Sequence, residues 1–259
     1  MKDADTKDRQ FATTLASGID LLLCFHPGES SLANKDFAER TGLSKPTVAR
    51  LTHTLALLGY LRRDPASARY RLGAAVLGLG HPLQASMRIR PIARPMMETL
   101  AREIEGAVSL GLRHRIHMVY VETARSSEDF VLTPDIGAPL PMLATAIGRA
   151  WLARAAPEDR QSVLNQIRVA APAEFERHAA AAELARDELA RDGFCSARAD
   201  WQPNRHGFAV PLHGLVDGMQ FVLNCAVATK RGSFAQMRRE VAPRLLTLAH
   251  SIELSLGLR

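Results

Sequence analysis

The chain has 259 residues, 47% hydrophobic and 23% charged, with a formal net charge of +6; domains run roughly 100–200 residues, so this length suits one large or two modest ones. No apolar run approaches the ~18 residues of a membrane span, and the opening "MKDADTKDRQ", with six charged side chains, is no secretory signal peptide. The charge is uneven: residues 1–90 hold thirteen Lys and Arg against eight Asp and Glu, a net +5 of the +6.

Residues 1–10 read as a disordered leader. "FATTLASGIDLLLCF", residues 11–25, then places Leu15, Ile19, Leu22 and Leu23 at helical spacing. "HPGES" breaks that helix. Asn34 is suited to cap a short second helix carrying Phe37 and Ala38, and Gly42 to end it. Ser44 can cap a third, in whose first turn Pro46 is tolerated. In this third helix Val48, Leu51, Leu55 and Leu58 form a core-facing stripe. Lys45, Pro46, Ala49, Arg50 and His53 occupy the opposite arc.

Gly59 ends the third helix, and "YLRRDPASARYRL" follows as two short strands around Asp64-Pro65-Ala66-Ser67. Arginines lie on both arms. Helix, helix, tight turn, helix and basic hairpin make a winged helix-turn-helix over residues 11–72. Lys45, Thr47 and Arg50 lie in the first two turns of the helix that this motif inserts into a major groove. Arg62, Arg63, Arg69 and Arg71 alternate along the wing, so they cannot all point the same way. His53 is a further candidate for backbone contact. Concentrated positive charge of this kind suits a polyanion such as double-stranded DNA.

"GAAVLGLGHPLQASM" is small and apolar where a linker should be polar, and reads as a linker helix over 73–90 that pairs two subunits. Pro91 opens a helix with Ile92, Met96, Leu100 and Ile104 on one side. "AVSLGLRHRIHMVYVETA" reads as two strands around Arg113-His114-Arg115, and "EDFVLT" as another. "PLPMLATAIGRAWLARA" reads as a loop entering a helix near Ala144. Helices follow over roughly 157–167 and 173–191, then strands at "FCSARA", "HGFAVPL" and "MQFVLNCAVAT". A last helix over about 234–256 aligns Val241, Leu245, Leu248, Ile252 and Leu256. Residues 91–259 are thus α+β, an antiparallel sheet with helices on it.

The chain from about Phe11 to Gly257 resembles a transcription factor of the isocitrate lyase regulator (IclR) type. "FAERTGLSKPTVARLTHTLALLGYL", "YRLGAAVLGLG", "LPMLATAIGRAWLA", "RDGF" and "FAVPL" fall in that family's order and at its spacing. The resemblance implies a winged helix-turn-helix, a dimerising linker helix, and a GAF/PAS-like effector-binding domain. It also implies a homodimer, or a dimer of dimers, on a palindromic operator.

Carried over residue by residue, the family's effector pocket falls on Leu143, Ala144, Ala146 and Ile147, facing Gly207, Asn224 and Ala226. A helix start with free N–H groups is a ready anion site. Ala197 and Arg198 stand where relatives often carry acids, and Gly207 where a cysteine is frequent. An arginine gained and acids lost favour an anionic ligand, and Gly207 should enlarge the pocket. With Leu143, Ile147 and Phe208 as apolar lining and Asn224 as a neutral hydrogen-bonding group, the expected effector is a small carboxylic acid, aromatic rather than a short α-keto acid.

No GxSxG, HExxH, P-loop or GxGxxG motif is present, and a separation of eleven residues between Cys195 and His206 gives no reason to pair them as nucleophile and base. No enzyme, cofactor or metal is expected. Cys24, Cys195 and Cys225 form no CxxC pair, which fits reduced thiols in a cytoplasm. The alternative is a ligand-independent architectural DNA binder, which would need no pocket.

Overall fold

The computed structural model describes residues 10–26, 28–126 and 134–258. The predicted strand "EDFVLT" and the leader up to residue 9 lie outside them. The chain divides into a unit over residues 1–86 and another over 87–259.

The first unit holds α1 (Thr13–Leu22), α2 (Asn34–Thr41), α3 (Lys45–Leu57), β1 (Leu61–Arg63), β2 (Tyr70–Leu72) and α4 (Ala75–Ser86). Its core gathers Leu21, Cys24, Leu32, Phe37, Val48, Leu51, Leu61 and Tyr70, with the Phe37 ring edge-on to Phe25 and Tyr70. Burying a side chain such as Phe37 contributes about 1.5–3 kcal/mol. The hairpin is joined to this core by reciprocal backbone bonds between Leu32 and Tyr70, at 2.8 and 2.7 Å.

Three sequence expectations are corrected here. On α1 the buried residues are Gly18 and Leu21, while Leu15, Ile19 and Leu23 are exposed. The periodicity located an apolar face, but not the one the core uses. On α3, Leu58 is the exposed C-cap, and Thr52 completes the buried stripe by donating to the Val48 carbonyl at 2.9 Å. Asn34 is the first residue of α2 rather than its cap. The Asn34 carboxamide accepts from Thr52 Oγ1 at 3.3 Å, and the Asp36 carboxylate accepts from the Ala33 N–H at 2.8 Å.

The second unit begins with α5 (Ile89–Glu103), which opens two residues before Pro91 and buries Ile89, Ala93, Met97, Leu100 and Ala101; of the expected face, Leu100 and Ile104 are buried, while Ile92 and Met96 are half-buried beside Ala93 and Met97. Strands β3 (Ala107–His114), β4 (His117–Arg125), β5 (Pro139–Pro141), β6 (Cys195–Ala197), β7 (Arg205–Pro211) and β8 (Val222–Ala228) form a sheet in the order β5-β4-β3-β8-β7-β6. Every described pairing is antiparallel. Strand β5 lies in the stretch expected to be a loop. It is held by three residues paired with His117–Val119 of β4, too few to show a period of two.

Helices α6 (Ala146–Arg154), α7 (Pro157–Ala170) and α8 (Pro172–Asp192) complete one core with Met118, Tyr120, Cys195, Ala197, Ala209 and Val222. Helices α5 and α9 (Phe234–Ser255) complete another with Val108, Leu110, Phe208, Val210, Leu223 and Cys225. Alternate residues of β7 and β8 belong to different cores, so the sheet is covered on both faces.

Candidate functional site

The turn before α3 is tight because α2 ends in left-handed Gly42, and Ser44 then caps α3 by accepting from the Thr47 N–H at 3.4 Å. With Val48, Leu51 and Thr52 buried, the opposite arc presents Lys45, Ala49, Arg50 and His53 to solvent. Thr47 is half-buried, and its hydroxyl pairs with that of Ser44 at 2.9 Å. The exposed arc of α3 therefore displays two cations, Lys45 and Arg50, and the His53 imidazole.

The wing separates its arginines. Arg62 and Arg71 are direct cross-strand partners, both exposed, and Arg63, also exposed, pairs with Tyr70. Two cations opposite one another repel unless an anion is near. Arg69 behaves differently. Its Nε donates to Ser31 Oγ at 3.0 Å, and its Nη2 donates to the Ser31 carbonyl at 2.9 Å and to Asp36 Oδ2 at 3.1 Å. A guanidinium so engaged braces the wing against the start of α2.

In the second unit a cavity of about 50 Å³ lies between the start of α6 and the sheet. Tyr120, Leu140, Ala144, Ala146, Ala197, Gly207, Asn224 and Ala226 line it, with Pro134, Asp200, Trp201 and Arg205 among its other walls. Thr145 caps α6, accepting from the Gly148 N–H at 3.2 Å and donating to the Pro141 carbonyl at 2.6 Å. Buried Asn224 donates from Nδ2 to the Tyr120 hydroxyl at 3.0 Å. Burial holds the Tyr120 phenol well above its ordinary pKa, so it stays protonated as a neutral partner.

Of the expected pocket residues, Ala144, Ala146, Gly207, Asn224 and Ala226 come together. Leu143 and Ile147 do not line the cavity; both are fully buried in the core beneath it. Phe208 lies in the other core, stacked on Phe234 at 5.7 Å. Arg198 is also displaced: it is exposed, with its guanidinium 5.9 Å over the Phe234 ring. Strand alternation is the reason. Ala197 pairs with Gly207 and shares its pocket face, which sends Arg198 to the other. That signal was present in the sequence. Tyr120, Asp200, Trp201 and Arg205 carried none, because only the pairing of distant strands brings them here.

The small residues of "ATAIGRA" have a packing role as well. A Cβ on Gly148 would lie 2.1 Å from the Met142 carbonyl oxygen, so glycine is what lets α6 close on residue 142. A Cβ on Gly207 would lie 3.3 Å from Ala146 Cβ; that glycine brings β7 against the helix start as much as it opens space. Cys195 and His206 do not form a catalytic pair. The Cys195 thiol, its pKa raised by burial, donates to the Ala185 carbonyl at 3.3 Å, while the His206 ring is edge-on to Phe234, 5.2 Å away. Desolvation, then the Arg198 charge, lowers the His206 pKa.

A three-helix unit with a basic wing, in one chain with an α+β unit that holds a cavity at a helix start, is the architecture of a helix-turn-helix transcriptional regulator with a second, pocket-bearing domain. The sequence model of the IclR helix-turn-helix domain matches residues 14–65, and that of the bacterial transcriptional regulator IclR C-terminal domain matches residues 82–254. The chain belongs to the IclR family of DNA-binding transcriptional regulators. It is 33% identical over 242 residues to the HTH-type transcriptional regulator TsaQ1/TsaQ2 of Comamonas testosteroni, a match covering 93% of this chain and 87% of that one. The crystal structure of an IclR family transcriptional regulator from Brucella abortus superposes with a TM-score of 0.86 at 34% identity, over 98% of this chain and 96% of that one. An IclR homolog from Microbacterium hydrocarbonoxydans, crystallised with 4-hydroxybenzoate, shares the fold with a TM-score of 0.73 at 23% identity, over 95% of this chain and 100% of that one. Among the described residues no helix is long and apolar enough to cross a membrane.

Proposed function

We propose that the protein binds a two-fold symmetric operator as a homodimer, or a dimer of dimers, in the cytoplasm, and that a small carboxylic acid, preferably aromatic, controls that binding. The pocket is the observation that carries this reading. An architectural DNA binder has no use for a cavity whose buried polar residue, Asn224, reaches its floor. Leu140, Ala144, Ala226 and Trp201 suit the body of a ring. The start of α6, together with Arg205, gives the pocket a positive potential that suits a carboxylate. Arg205 takes the role expected of Arg198. The 4-hydroxybenzoate held by the Microbacterium protein belongs to the same chemical class.

On the DNA side, Lys45, Thr47, Arg50 and His53 are the contacts proposed for the groove, with Arg62, Arg63 and Arg71 on phosphates. The pairing surface follows from the first unit. Leu77, Leu79 and Leu83 of α4 are exposed, as are Leu15, Ile19 and Leu23 of α1. An apolar surface of that extent on one small unit calls for a second subunit. No cofactor or catalytic role is proposed, since the family's members are regulators and Cys195 and His206 face different cores.

The test is fluorescence anisotropy on duplexes from the intergenic region beside the protein's own gene, with and without 4-hydroxybenzoate and benzoate. Specific binding that Arg50→Ala weakens by about 1–3 kcal/mol is expected. An aromatic carboxylate at 100 times its dissociation constant should stabilise the protein by about 2.7 kcal/mol. Undiminished operator affinity in folded Arg50→Ala protein would remove Arg50 from the interface. A pyruvate response larger than that to any aromatic acid would overturn the ligand class.

A further inference from the structure

One wall of the pocket is anchored to α6 by an ion pair. Residues 198–204 join β6 to β7, form neither helix nor strand, and bring Asp200, Trp201 and Gln202 onto the cavity. Their backbone bonds lie at the far end, where the Asn204 carbonyl accepts from the Thr229 N–H at 2.9 Å and the Gln202 carbonyl from the Arg205 N–H at 3.1 Å. Ala199 sits at φ +59°, in the left-handed region that residues with a Cβ rarely occupy. Something must hold this segment in a conformation its backbone disfavours.

That anchor is Arg149. It lies on α6 with its side chain only 5% exposed; Nε donates to the Leu143 carbonyl at 2.8 Å, and Nη1 donates to the Ser196 carbonyl at 3.0 Å. Carbonyls orient a guanidinium but do not neutralise it, and a buried charge needs a counter-ion. Asp200 Oδ2 supplies one, 2.7 Å from Nη1, with the carboxylate side chain 30% exposed. Arg149 Nη2 is buried without a hydrogen-bond partner among the described residues. Asp200 thus lines the cavity while paired with a buried cation whose second terminal nitrogen is unused among the described residues.

A ligand carboxylate has the same charge and shape as the Asp200 side chain, and it can use both Nη1 and Nη2, the bidentate geometry that an arginine fork favours. Building on the effector reading of the pocket, we propose that Asp200 is a resident carboxylate which the effector's carboxylate replaces on Arg149. Binding of the anion and release of the 198–204 wall are then one event. Asp200 sets affinity by competition, and the freed segment, with Trp201 on it, is the first part of the protein to register the ligand.

The experiment uses the full chain with Trp151→Phe, which leaves Trp201 as the sole indole of the two in the sequence. Acrylamide quenching of Trp201 and titration calorimetry are run with sodium benzoate and benzamide, in that background and with Asp200→Asn or Asp200→Glu added. Without ligand, Asp200→Asn should raise the quenching constant, and Asp200→Glu, which keeps the charge, should not. Benzoate should raise quenching in the Asp200 protein but not in the Asp200→Asn variant, which should bind it about 2- to 5-fold tighter, the range of a partly exposed ion pair. Benzamide should do neither. Heat of benzoate binding with no change at Trp201, or weaker binding by Asp200→Asn, overturns the exchange and leaves the effector site standing. No heat with either compound in any of the proteins overturns the effector reading, and the exchange with it.

Discussion

Arg69 and Arg71 lie two residues apart on the wing, and the structure gives them opposite tasks. Arg69 makes three hydrogen bonds to Ser31 and Asp36, one of them an ion pair whose side chains are 40% and 31% exposed. A typical bond of this kind contributes about 0.5–1.5 kcal/mol net, and partial exposure argues for the low end. Arg69→Ala should therefore cost about 1–2 kcal/mol, a factor of roughly 5–30 in a local opening equilibrium. Hydrogen exchange over residues 29–72 of the full chain should accelerate by that factor, because Asp36 also holds the Ala33 N–H at the start of α2. Arg71 is exposed opposite Arg62 and should be silent in exchange. Its removal should instead flatten the salt dependence of DNA binding by about 0.9 in log–log slope. Arg69→Ala protein that exchanges like wild type and loses that slope would refute the division of labour.

Three further outcomes are expected. Gly207→Val projects bulk from a Cβ only 3.3 Å from Ala146 Cβ into a cavity of about 50 Å³, so it should abolish ligand-induced thermal stabilisation while DNA binding persists; a normal thermal shift would mean that the ligand lies elsewhere. Leu79→Asp with Leu83→Asp puts two charges on an exposed apolar face of α4 and should yield monomers by light scattering at micromolar concentration; an undisturbed dimer would place the pairing surface elsewhere. Glu29 is gripped by both terminal nitrogens of Arg40 at 2.6 Å, which, with the His26 N–H, holds its carboxyl down to about 2. A depressed carboxyl stabilises the fold above its ordinary pKa of 4.5 and loses that contribution as pH falls towards 2. Glu29→Gln should therefore flatten the acid limb of the pH–stability curve, and an unaltered limb would exclude this pair as a contributor.

What the sequence determined by itself is local. Helix caps such as Ser44, the left-handed stop at Gly42, the Val48–Leu51 stripe and the wing turn at Asp64–Ser67 depend on residues within a few positions of one another, and propensity and periodicity report such relations directly. The family likeness extended that reading to the start of α6 and to Gly207, Asn224 and Ala226. Only the tertiary structure decided which apolar face of α1 is buried, because Leu15 and Leu21 are equally apolar and the choice rests with the helices packed against them. It alone decided that Arg69 braces the wing, since Ser31 and Asp36 lie more than thirty residues away in sequence. The pocket was divided in the same way. Alternation along β6 already separated Ala197 from Arg198, but Tyr120 reaches Asn224, and Asp200 reaches Arg149, only through strand order and helix packing. No local pattern encodes such contacts: the free energy that selects them comes from burying distant segments together, and it is fixed only when the whole sheet and the helices on its two faces close.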